Sequence, residues 1–235
     1  MVNTDKIQLD LLWYFQDANT ELPLHESQYE IDPDGVVHVI RTDIRLNRAS
    51  LTGLLPVQFG EVEGDFLISN MNLTSLKGCP RHVDGNFDCS ENSLTSLQHA
   101  PRSCEDLDCS RNKLTTLHHA PVVANSISCS HNLLTDLSTA PEAQDMFAAY
   151  NPFKTFRNMS KDIDRITITY DADLPLLGLL SVRHVEIFDP DTGEYMDKLS
   201  KILNAHAGKG VDNKAQMLMC AAELVKAGYK GNAKW

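Results

Sequence analysis

The chain has 235 residues, 42% of them apolar and 23% charged, which excludes a disordered chain and is enough to bury a large core in one or two domains. The net charge is −11; seven lysines against four acids from Thr192 onward give +3 there, so residues 1–191 carry −14. So acidic a body argues against direct binding to nucleic-acid phosphates or anionic membranes, and no apolar run approaches the roughly 18 residues that a membrane helix needs.

From the N-terminus, Asp5–Ala18 has apolar residues at Ile7, Leu11, Leu12, Trp13 and Phe15, which predicts an amphipathic helix. The segment contains Asp10 and lacks a basic start and a small-residue cleavage site, so it is not expected to be a signal peptide. The six cysteines are accordingly expected as reduced thiols in a cytoplasm. Asp34-Gly35, between extended segments within Tyr29–Ile40, is a hairpin signal. Residues 1–40 are expected to form an N-terminal cap of helix plus hairpin.

A period of about twenty residues then dominates. Its clearest unit is Leu107-Asp-Cys109-Ser-Arg-Asn112-Lys-Leu114-Thr-Thr-Leu117, flanked by equivalents at Phe87–Leu97 and Ile127–Leu137. The units run into proline corners at Cys79-Pro80, Ala100-Pro101, Ala120-Pro121 and Ala140-Pro141. The frame extends to about eight rungs, starting at 44, 66, 87, 107, 127, 146, 166 and 185. Twenty residues are too few for a strand plus a long helix. Each rung is therefore expected to be a short strand, an asparagine corner and an extended return, stacked as a parallel sheet. Residues 41–190 make this solenoid, its first rung covered by the N-terminal helix. Glu194–His206 and Asp212–Ala227 have helical periodicity, and Gly228 sits where a helix would stop. Residues 191–235 are expected as a helical-hairpin cap, which gives an α+β solenoid with a cap at each end.

In this frame Cys89, Cys109 and Cys129 point into the core as small hydrophobes, with no paired Cys-x-x-Cys elements for a metal. Asn92, Asn112, Asn132 and Asn151 are expected to bond the backbone of adjacent turns. His99, His118 and His119 near successive corners are expected as surface histidines, with a zinc site the lesser alternative. Gly208-Lys209-Gly210 lacks the spacing and the Ser/Thr of a phosphate loop. No catalytic constellation, cofactor site or metal site is expected.

The unit pattern resembles the leucine-rich repeat L-x-L-x-x-N-x-L, with cysteine often taking the second apolar place. Asp34-Gly-Val-Val-His-Val39, Leu73-Thr-Ser-Leu-Lys-Gly-Cys-Pro80, Gly85-Asn-Phe-Asp-Cys-Ser90 and the C-terminal Gly231-Asn-Ala-Lys-Trp235 resemble the short leucine-rich-repeat proteins of tailed bacteriophages. That resemblance implies the cytoplasm of an infected bacterial host, where small accessory proteins bind and block host or defence proteins. Twenty-residue repeats are also similar to those of secreted bacterial ubiquitin-ligase effectors, whose catalytic cysteine lies in Cys-x-Asp. Here the matching Cys104-Glu105-Asp106 falls inside a repeat, with no large helical domain to hold it.

The concave strand face is the expected partner surface. A column of small residues (Ser90, Ser110, Ser130, Ala149) runs along it, and Thr167 is expected to face outward on a strand. Beside the small residues run Arg48, Asn70, Glu91, Arg111, His131, Tyr150, Tyr170 and Asp189. The expected contacts are an acidic centre at Asp88, Glu91, Asp106 and Asp108 and an aromatic cluster at Phe147, Tyr150, Tyr170 and Phe188, with Arg111 and His131 between them. Exposed aromatics are common interface anchors. The leading expectation is a non-catalytic protein-binding module acting on a host or defence protein with a basic surface. The alternative is an acidic nucleic-acid mimic, and an enzyme comes last.

Overall fold

The computed structural model describes residues 2–47, 52–123, 125–159, 162–208 and 213–234; Arg48, Leu51, Lys209, Gly210, Asp212 and Trp235 lie outside them. The chain divides into two compact units, residues 1–114 with 118–124 and residues 115–117 with 125–235. Each is built on a mostly parallel β-solenoid. Among the described residues no helix is long and apolar enough to cross a membrane.

The N-terminal unit opens with helix α1 (Thr4–Tyr14), whose first turn is capped by Asn3 Oδ1 accepting from the Lys6 N–H. The chain then enters β1 (Phe15–Asp17), and the predicted helix over Asp5–Ala18 ends four residues early. The reason is tertiary. Phe15 is fully buried edge-on against Phe59, and Asp17 accepts hydrogen bonds from Thr42, Gln28 and the Asn19 and Thr20 N–H groups. Nor does α1 bury an apolar face. Leu11 is buried, but Leu9, Leu12 and Trp13 are exposed, and the cover over the first rung is made by β1 instead.

The hairpin forms as expected: β2 (Tyr29–Ile31) and β3 (Val36–Val39) pair antiparallel around Gly35, whose φ of 81° suits a residue without Cβ. Then come β4 (Ile44–Leu46), β5 (Gln58–Val62), β6 (Phe66–Leu67), β7 (His82–Val83), β8 (Phe87–Asp88), β9 (Ser103–Cys104), β10 (Leu107–Asp108) and β11 (Val122–Val123). Strands β4, β6, β8 and β10 form the parallel ladder, with β1 antiparallel on the outer side of β4. The returns are more ordered than expected: β3, β5 and β7 form a second parallel sheet, and β9 pairs with β11. Between the two layers, Phe15, Phe59, Phe66 and Phe87 form a run of ring contacts 5.1 to 6.1 Å between centroids.

In the C-terminal unit β12 (Ser126–Ser128), β13 (Ala143–Phe147), β14 (Ile163–Thr169) and β15 (His184–Phe188) stack in parallel register. Each of the eight expected rung starts falls within a strand, four in each unit. Helices α2 (Asp197–His206) and α3 (Lys214–Ala227) follow; α3 ends at Gly228, φ 101°, where the N–H groups of Gly228 and Tyr229 return to the Leu224 carbonyl. Helix α2 begins three residues after the expected Glu194. Two of its side chains occupy the open edge of β15: Ser200 Oγ accepts from the Ile187 N–H, while Asn204 accepts from the Val185 N–H and donates to its carbonyl.

The asparagine corners knit each unit together. Asn92 Nδ2 donates to the carbonyls of Ile68, Cys89 and Ser90, and its Oδ1 accepts from the N–H groups of Met71 and Leu73 at 3.0 and 2.9 Å. Asn112 repeats this one rung on, donating to Cys89, Cys109 and Ser110 and accepting from Leu94. In the C-terminal unit Asn151 donates to Cys129, Ala148 and Ala149 and accepts from Leu134. Removing one such amide costs its hydrogen bonds, and a buried backbone group left unmet costs about 1–3 kcal/mol more. The Ser110 carbonyl keeps the Glu91 N–H and the Cys89 carbonyl keeps the Asn92 amide, so Asn112→Ala leaves the Leu94 N–H unmet. It should lose at least about 3 kcal/mol in urea unfolding; a loss below about 1 kcal/mol would show that water replaces the amide.

A second prediction concerns acid. Hydrogen bonding from Thr42, ahead of the Thr20 and Asn19 N–H groups and Gln28, lowers the Asp17 pKa to about 2 against the opposing effect of its burial. The folded pKa lies below the unfolded value of about 4. The stability it contributes is complete above about pH 4 and is lost as the pH falls through about 2. Asp17→Asn should lower the melting temperature at neutral pH and flatten its fall between pH 4 and pH 2. An unchanged acid limb would assign acid unfolding to other carboxylates.

Candidate functional site

The cysteines carry no exposed thiol chemistry: all six are free and buried. Burial pushes the thiols of Cys104 and Cys220 up to about 12 and about 11, and those of Cys79 and Cys89 well up. Such groups stay protonated at neutral pH, and it is the thiolate that attacks or ligates. Among the described residues no group of three or more His, Cys, Asp or Glu side chains converges on a metal position. An open cleft of about 420 Å³ in the N-terminal unit is lined by Asp32, His38, Glu61 and Arg81 among others, with no serine, threonine or cysteine among the described residues. His38 lies 3.8 Å from Asp32, beyond hydrogen-bonding distance.

The acidic residues fall in the N-terminal unit, and the repeat uses several of them locally. Asp88 and Asp108 lie side by side in register on β8 and β10. Each spends one carboxylate oxygen on the N–H two residues ahead, that of Ser90 or Ser110, at 2.9 Å. Glu91 lies 3.7 Å from Arg111 on the next rung, both exposed. Asp106 is half-buried, and its carbonyl accepts from the Phe87 N–H. These acids help shape the corners as well as bordering the face. The expected column of small outward residues is partly buried: Ser90 and Ala149 lie beneath the corner, their carbonyls accepting from Asn92 and Asn151. Thr167 is also buried, flanked in register by Phe147 and Glu186 and donating to the latter's carboxylate.

In the C-terminal unit the aromatic residues form a continuous row. His131 stacks on Tyr150 with centroids 4.2 Å apart and planes 14° apart. Tyr150 meets Phe188 edge-on at 5.4 Å, and Phe188 meets Tyr195 at 6.4 Å. Tyr150 is 40% exposed and Tyr195 62%. Phe147, 43% exposed, stands on β13, three residues before Tyr150. Tyr170 makes its ring contact with Tyr229 instead. So His131, Tyr150 and Phe188 come together as a row, while Tyr170 belongs to a second pair. Tyr195 and Tyr229 were missed from the sequence. The signal for Tyr195 was present in Asp189-Pro-Asp-Thr-Gly193, a turn that folds Tyr195 back to bridge Phe188.

The backbone explains the projection. Glu91, Arg111, His131 and Tyr150, each immediately before a corner asparagine, all have φ between 52° and 55°. Left-handed geometry costs a non-glycine residue on the order of 1–2 kcal/mol, and asparagine least. It lets each asparagine turn inward while its predecessor projects outward.

Comparisons with protein-family profiles, with curated proteins and with solved structures return no match to the chain.

Tyr150→Asn and Tyr150→Val both delete the ring, but only asparagine tolerates φ near 55°. The valine protein should be less stable than the asparagine protein by about 1 kcal/mol or more in urea unfolding. Equal stabilities would mean that the corner relaxes out of the left-handed region.

Proposed function

We propose that this is a leucine-rich-repeat-like, non-catalytic binding protein whose contact surface is the His131–Tyr150–Phe188–Tyr195 row of the C-terminal unit. The observation that carries this reading is the row itself: ring-to-ring contacts just past the ends of a parallel ladder, with Tyr150 and Tyr195 substantially open to solvent. Aromatic residues held in one conformation make effective interface anchors, because little side-chain entropy is left to lose on binding. The resemblance to bacteriophage repeat proteins directs the reading toward a bacterial host or defence protein in the infected cell's cytoplasm. The acidic-mimic reading has one observation in its favour, the in-register carboxylates of Asp88 and Asp108. Their use within their own corners weakens it.

The test is affinity capture from expressing bacteria with the parent protein, a Tyr150→Asn/Tyr195→Ala protein and an Asp88→Asn/Asp108→Asn protein. The aromatic variant should lose the captured protein, by roughly thirtyfold per anchor residue. The acidic variant should retain it, because asparagine still accepts the corner hydrogen bond. Retention by the aromatic variant with loss by the acidic one, steeply dependent on salt, would favour the mimic instead.

A further inference from the structure

The surroundings of the aromatic row indicate what would occupy it. Beyond the ends of β14 and β15 lie Asp171, Asp173, Asp189, Asp191 and Glu194. Asp171 and Asp189 are each held at one carboxylate oxygen by the N–H two residues ahead, at 2.8 Å. The two arginines of the same stretch are engaged elsewhere, Arg165 with Asp145 and Arg183 with Asp164. Among the described residues no ion pair engages Asp171, Asp173, Asp189 or Glu194. Asp171 adjoins Tyr170, Asp189 adjoins Phe188 and Glu194 adjoins Tyr195 in the chain, beyond the C-terminal ends of β14 and β15. The Tyr170 N–H donates to the Phe188 carbonyl, and the turn bringing Tyr195 to Phe188 is closed by the Asp189 N–H on the Glu194 carbonyl. The Tyr170 hydroxyl registers the local negative field: partial burial raises its pKa, and Tyr229, Asp171, Asp173 and Asp189 raise it further.

Partly exposed rings beside carboxylates that no ion pair engages among the described residues suit one side chain above others. The guanidinium group is planar, weakly hydrated and permanently charged, so it stacks on an aromatic face while its edge pairs with a carboxylate. Lysine offers a compact, strongly hydrated charge that stacks less well. Resting on the binding role proposed above, we infer that the partner reaches this surface through an arginine-bearing basic segment. Its guanidinium lies on the Tyr150–Phe188–Tyr195 rings, with Asp189 and Glu194 as its counter-charges.

The experiment uses the intact protein and labelled peptides of alternating arginine and serine, read by fluorescence anisotropy at low and physiological salt. Matched peptides carry lysine or uncharged citrulline in place of arginine. The arginine peptide should bind about tenfold more tightly than the citrulline peptide, and more tightly than the lysine one. Tyr150→Asn with Tyr195→Ala should remove that preference; Tyr195→Ala alone, at an exposed turn, should weaken it with the fold intact. Asp189→Asn should weaken binding about threefold and flatten its salt dependence. Equal binding of arginine and citrulline peptides, absence of arginine binding, or arginine binding indifferent to the ring substitutions overturns the inference. If the aromatic variant still loses the captured protein in such a case, the surface stands as a docking site for a partner of other chemistry. If it does not, the binding role falls as well.

Discussion

The structure depends on how a short repeat satisfies its own corners. A turn of about twenty residues changes direction too often for a sheet ladder to pair every buried backbone group. At each corner N–H and carbonyl groups would be stranded in the core, where an unmet group costs more than a made bond returns. One asparagine amide, carrying both donors and an acceptor, resolves this. Asn92 bonds its own turn and the preceding one at five points, and Asn112 and Asn151 do the same work on their rungs. No other side chain of that length both donates and accepts through a fixed planar group.

The same device determines what the protein displays. An asparagine turned inward is preceded by a residue in left-handed conformation, and that residue projects outward at the period of the repeat. Glu91 and Arg111 occupy this position in one unit, and His131 and Tyr150 in the other. Stability and surface display are thus coupled through adjacent residues, one fixed by burial and its neighbour free of that constraint. The surfaces diverge on that free position: an ion pair between neighbouring rungs in the N-terminal unit, a ring stack in the C-terminal unit.

Open sheet edges are the liability of such a design, because unpaired strand groups recruit other chains. Each unit closes one edge by a different means. Strand β1 lies antiparallel on β4, reversing the direction of the ladder. Helix α2 presents Ser200 and Asn204, one turn apart, to the backbone of β15. At the C-terminus Asn232 is fully buried and donates to the Asp171 and Leu174 carbonyls, which fastens the chain end to the loop beyond β14.

By itself the sequence determined what repeats. Apolar positions spaced two apart, then an asparagine, then two leucines recur with a fixed period, so the strand positions, the buried cysteines and the bonding asparagines were legible from Leu107-Asp-Cys-Ser-Arg-Asn112 and its neighbours. The Asp34-Gly35 hairpin and the Gly228 helix stop were legible too, because each rests on a local backbone preference. What does not repeat was decided by tertiary structure. Phe15 and Asp17 read as helix and became strand, since a buried ring and several hydrogen bonds outweigh helical propensities of well under 1 kcal/mol per residue. The returns read as extended chain, and only the fold shows them paired as a second sheet, because their partners lie a full turn away in sequence. The aromatic row required Tyr195, seven residues beyond Phe188, which no column of the repeat contains. Periodic positions declare themselves in one dimension, whereas contacts made once, between residues of unlike register, exist only after the chain has folded.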